Sequence, residues 1–197
     1  MLKSSLWICI LIGLIGLSAC NKKDTSVTLD ANDLDIGEVA ASTISSAVTS
    51  SPTQTLVSND DKITIVVNGQ FQNELNNSED WVESPESSSL TLLQHDNDSN
   101  ITLAVNNLGP AKLKASDYFR NLADKLKSND QLTDLKIGVA TENRMNYRFT
   151  HSIDNEILRE NCLALMGGDN LYSVCASSNT ANDDSLASAL KNITIQY

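Results

Sequence analysis

The sequence predicts an α+β domain, an antiparallel β-sheet with two helices packed against it, preceded by a flexible tether. Three observations carry this prediction. Short apolar runs separated by polar turn signals recur from residue 61 onward. Two segments with helical apolar spacing interrupt and close that series. Every aromatic residue beyond Trp7 lies after residue 60. Runs of hairpin-linked strands, rather than strict strand–helix alternation, point to antiparallel pairing.

The elements follow in order. Ile63, Ile65 and Val67 alternate with Thr64 and Val66 and run into Asn68-Gly69, a strand ending in a turn signal. Leu90 to Gln94 and Ile101 to Val105 flank Asp96-Asn97-Asp98-Ser99-Asn100 and read as a hairpin. Gly109-Pro110 breaks the pattern. A helix then places Ala115, Phe119, Leu122, Ala123 and Leu126 on one face, with Ser116 as its capping candidate and Lys125 and Lys127 at its negative end. Four further strand-like runs lie near 135–140, 144–150, 157–166 and 171–176. A short helix closes the chain, with Asp183 or Asp184 as cap and Leu186, Ala189, Leu190 and Ile193 on one side, before an extended Ile193-Thr194-Ile195. No repeat of 20 to 50 residues is present, so 61–197 reads as one domain.

Cys162 and Cys175 fall on the two strands flanking Gly167-Gly168-Asp169-Asn170. With Gly168-Asp169 as a two-residue loop, each cysteine lies five positions from the closing pair Gly167/Asn170, so the two face each other. An odd number of steps puts them at a non-hydrogen-bonded pair, with Cα atoms about 4.5 Å apart, inside the disulfide window. The reading is a Cys162–Cys175 disulfide; the alternative is two buried thiols. Their spacing is not C-x-x-C, which argues against a redox-active pair. A bond closing 12 intervening residues contributes about 3 kcal/mol in the chain-entropy model.

The N-terminus carries an address. Lys3, an apolar run from Leu6 to Leu17 and small residues at 18 and 19 form a signal peptide over 1–19, with an apolar stretch too short to span a bilayer. Leu17-Ser18-Ala19-Cys20 resembles the bacterial lipobox, which implies lipidation of Cys20; the alternatives are an ordinary signal cut after Ala19, leaving Cys20 a free thiol, or an uncleaved anchor. Several acyl chains on Cys20 would hold the protein permanently to a membrane, at about 0.8 kcal/mol per buried methylene. Asn21, where an aspartate favours inner-membrane retention in such proteins, leans toward the outer membrane. Residues 20–60 lack aromatics and are rich in Ser, Thr, Asp and Ala, the composition of a disordered tether. Within it, Ile36, Ala40, Ile44 and Val48 share helical spacing, read as a transient helix.

The net charge is −11, and loss of Lys3 with the signal leaves −12. With no basic run longer than Lys22-Lys23, nucleic-acid binding is excluded as an expectation. Asp96 to Asn100 matches only the first half of a calcium loop: Ile101 stands where the glycine belongs and Asn107 where the glutamate belongs. His95 and His151 have no ligand partner at metal spacing and read as surface strand histidines. No G-x-S-x-G, H-E-x-x-H, Walker or G-x-G-x-x-G pattern occurs. No metal or cofactor is therefore expected. Trp81, in the polar stretch 78–89, reads as a partly buried loop anchor.

The order of these features, from lipobox and tether through Asp61-Lys62-Ile63-Thr64-Ile65, a hairpin, the Phe119 to Leu126 helix, hairpin strands and a closing helix before Ile193-Thr194-Ile195, resembles DcrB-type bacterial envelope lipoproteins, whose domain is similar to the PsbP fold. The resemblance implies a sheet covered by helices and a non-enzymatic role in phage susceptibility and protein assembly, and it transfers no catalytic residue. The expectation is a lipid-anchored, periplasm-facing binding or assembly module with an envelope protein partner. The alternative is a lipid-anchored carrier of a small apolar ligand.

Overall fold

The computed structural model describes residues 51–81, 89–153 and 156–196. The signal segment, Cys20, the tether up to residue 50 and its helical spacing lie outside the described residues.

Among the described residues, ten strands and two α-helices follow in the order β1 (Thr53–Val57), β2 (Ile63–Asn68), β3 (Gln72–Asn73), a 3-10 segment (Leu75–Asp80), β4 (Leu90–Asp96), β5 (Ile101–Pro110), α1 (Ala115–Ser128), β6 (Thr133–Ile137), β7 (Arg144–Ile153), β8 (Glu156–Gly167), β9 (Asn170–Ser178), α2 (Asp183–Ala189) and β10 (Asn192–Ile195). They form a seven-stranded sheet, β3-β4-β5-β9-β8-β7-β6, and a three-stranded sheet, β1-β2-β10. Every pairing is antiparallel. The domain is thus α+β as the sequence predicts.

Two faces of the large sheet are covered differently. On one, Leu103, Val105, Leu163, Leu165, Tyr172 and Val174 share a single core with Ile63, Ile65 and Val67 of the small sheet and with Leu186 and Leu190 at α2. On the other, Phe119 of α1 packs on Met145 and Ala164, and Trp81 and Leu75 pack on Leu90, Leu93 and Ala104. The central strands are therefore buried on both sides. Their patterns, such as six consecutive buried residues from Ile101 to Asn106, are continuous instead of alternating.

The domain begins earlier than the expected boundary at residue 61. β1 pairs with β2 in register from Thr53↔Asn68 to Val57↔Thr64. Its apolar anchor is Leu56, which joins the core, and Gln54 adds hydrogen bonds to the Phe71 backbone; the polar residues around Leu56 hide the strand in a composition reading. The caps also shift. α1 starts after Lys114 with no side-chain cap, so Ser116 lies inside the first turn. α2 is capped by Asn182, whose Oδ1 accepts from the Ser185 N–H at 2.9 Å, leaving Asp183 and Asp184 in the first turn beside the positive end of the dipole. The extended close at 193–195 becomes β10, paired to β2.

The β8–β9 hairpin follows the predicted register. Gly167 pairs with Asn170 around a Gly168-Asp169 loop, and Gly168 has φ 58°, as the first loop position of a II′-type turn requires. Gly69 (φ 146°) sits where a Cβ would stand 2.8 Å from Asp96 Oδ2 and 2.9 Å from the Phe71 ring, so a side chain there would clash with both.

Candidate functional site

The hairpin register brings Cys162 of β8 opposite Cys175 of β9, and the two are joined as a disulfide with Cα atoms 4.2 Å apart. This is the short spacing of a non-hydrogen-bonded pair. The bond lies on the α1-side face of the large sheet, between the patch under α1 and the patch under Trp81.

Beside it runs a row of polar residues across four strands. Ladder pairing aligns His95, Thr102, Ser177 and Glu160, one each from β4, β5, β9 and β8. His151 enters from β7, with Nε2 2.9 Å from Glu160 Oε1 and the two side chains 8% and 2% exposed. The approach is close but off the hydrogen-bond line. The other carboxylate oxygen, Oε2, lies 3.7 Å from Cys162 Sγ. Ser177 Oγ, opposite Glu160 in the ladder, is buried without a hydrogen-bond partner. Each such group is costly in a low-dielectric interior.

Glu160, Cys162 and Cys175 place donor atoms within 4.8 Å of one another. The disulfide engages both sulfurs, so neither is available as a thiolate and the set offers a single carboxylate. Nor is the row arranged for turnover as it stands: Glu160, His151 and Ser177 are 3%, 7% and 1% exposed, and a substrate must touch its acid, base or nucleophile.

The structure corrects the reading of the histidines as surface residues. His95 and His151 are both buried, because their strands carry covered positions on both faces. His95 Nδ1 lies 2.9 Å from Thr102 Oγ1, and the Trp81 ring packs on its imidazole with centroids 4.8 Å apart and planes tilted by 43°. Trp81 is thus the half-buried anchor expected of it. Burial lowers the His95 pKa from 6.5, with Asp96 and Glu74 opposing. An unfolded His95 binds a proton more readily than the folded one. Its contribution to stability is complete above pH 6.5 and is lost as pH falls below 6.5 toward the lowered folded value. Thermal melts at pH 7.5 and 5.5 should show a smaller loss of midpoint for His95→Gln than for the native chain. Equal losses would remove His95 from the acid sensitivity.

Asp96 to Asn100 forms the β4–β5 turn. Asp96 Oδ1 accepts from the Asp98 N–H at 3.2 Å and Oδ2 from the Ser99 hydroxyl at 2.6 Å. The first carboxylate of the half calcium motif is thereby tied into the turn. Near the disulfide, burial pushes the Tyr147 phenol above its usual range, offset in part by its hydrogen bond with Ser173. Cys20 lies outside the described residues. Glu160 and Ser177 were missed from sequence, although a glutamate two positions from Cys162 on a strand must share its face.

No family model matches the chain, and no curated protein matches it at a significant level.

Proposed function

We propose that this is a lipid-anchored cell-envelope protein, held to a membrane through acyl chains on Cys20 and acting as a non-enzymatic binding or assembly module facing the periplasm. The observation that carries the reading is the Cys162–Cys175 disulfide in the middle of the large sheet. Such a bond belongs to an oxidising compartment, which is where the signal and the lipobox-like Leu17 to Cys20 would send the chain. The buried, inaccessible state of the Glu160–His151–Ser177 row supports a structural role for its polar groups over turnover. A sheet covered by helices is the architecture that kinship with DcrB-type envelope lipoproteins implies, and Asn21 favours the outer membrane.

Mass spectrometry of the membrane fraction should find a mature N-terminus at Cys20 carrying acyl mass, and Cys20→Ala should release the domain or leave unprocessed precursor. A chain cut elsewhere with an unmodified Cys20 would overturn the anchoring. Crosslinking in intact cells should capture an envelope protein; a purified domain carrying a small apolar molecule and no partner would favour the carrier.

A further inference from the structure

On the α2 side of the large sheet, Arg148 and Arg159 stand on neighbouring strands. Arg148 faces Asn161 and Arg159 faces Thr150 in the β7–β8 ladder, so the two guanidiniums project from one face at diagonal positions. Together with Thr180, Asn182, Asp183 and Asp184 they line an open cleft of about 490 Å³.

Part of the lining is already engaged. Arg148 Nη1 binds Asp183 Oδ2 at 2.9 Å, and Asn182 Oδ1 caps α2. Thr180 Oγ1 accepts from Asn100 Nδ2 at 3.0 Å. Arg159, half-buried, and Asp184, exposed, remain. Among the described residues neither is in an ion pair, with the other or with any third group. One fixed cation and one fixed anion therefore face the same cleft without neutralising each other.

That arrangement selects by charge pattern. A simple anion attracted to Arg159 meets Asp183 and Asp184 on a chain of net charge −11. A simple cation attracted to Asp184 meets two guanidiniums. A zwitterion satisfies both: the planar fork of Arg159 matches a carboxylate bidentately, and Asp184 accepts an ammonium group. We propose that this cleft binds a small zwitterion of the amino-acid and small-peptide class, with its free carboxylate on Arg159 and its free amino group on Asp184. The inference does not depend on where the chain is anchored.

The test is calorimetric or NMR titration of the purified protein with unblocked trialanine, N-acetyl-trialanine and trialanine amide. Trialanine should bind saturably, and loss of either terminal charge should weaken it at least about tenfold, as should Arg159→Gln and Asp184→Asn. Arg120→Gln, on α1 and paired with Asp117, should change nothing. Both substituted cleft side chains reach solvent, and unchanged circular dichroism would verify their folding. Absence of saturable binding up to about 10 mM, equal affinity for blocked and unblocked peptides, or binding of the cationic amide alone would each overturn the proposal.

Discussion

Glu160→Ala should destabilise the domain by about 1–3 kcal/mol, the cost of leaving the buried His151 imidazole without the polar group beside it. The substitution takes away the carboxylate that faces His151 Nε2 at 2.9 Å, in a place where neither side chain can turn to bulk water. It also leaves a gap between Phe149 and Ser177, the ladder neighbours of Glu160 on β7 and β9. Glu160→Gln keeps the volume and a polar group beside the imidazole, and should lose only about 1 kcal/mol. The double variant Glu160→Leu/His151→Phe should recover much of the alanine loss, because two apolar side chains leave no polar group desolvated and the Phe149 ring already packs at an angle against position 151. Denaturant titration of the four proteins measures all three differences. A loss below about 1 kcal/mol in Glu160→Ala would show that the pair is solvated in solution and contributes little.

The fold was legible where a single periodicity governed a segment, and less so where two constraints overlapped. Ile63 to Val67 alternates cleanly because β2 has one fully buried face, Ile63, Ile65 and Val67, with half-buried residues between them. The β8–β9 register could be read because Gly167-Gly168 fixes the turn, and one turn fixes every pair behind it. β1 was illegible because a strand of five residues with one buried side chain carries almost no apolar signal. Thr133–Ile137 differs from the expected 135–140 because Asp134 takes φ 51° and the ladder slips between Thr133 and Lys136. The histidines show the sharper limit. Whether a polar residue on a strand meets water depends on what covers that face, and at His95 the cover comes from Trp81, fourteen positions away and beyond the strand. The cleft at Arg159 and Asp184 was illegible for the same reason, since β7, β8 and α2 meet there only in the folded chain.

Replacing both hairpin cysteines, Cys162→Ala with Cys175→Ala, should lower stability by about 3 kcal/mol without changing the fold. The fold survives because the register does not depend on the bond. β8 is held to β7 from Arg144↔Leu165 to Ile153↔Glu156 and to β9 from Arg159↔Ser178 to Gly167↔Asn170, and the Gly168 turn closes the hairpin by itself. The loss arises mainly in the unfolded chain, which gains the freedom of a loop with a sequence separation of 13. An expanded unfolded state exposes more surface, so the denaturant slope should rise as the midpoint falls. The native chain in excess dithiol should converge on the same midpoint, and its strand signal by circular dichroism should match that of the double variant. Alkylation of the unreduced, denatured native protein should label neither Cys162 nor Cys175. Labelling of both would mean that the bond is absent in solution, and the compartment argument built on it would fail with it.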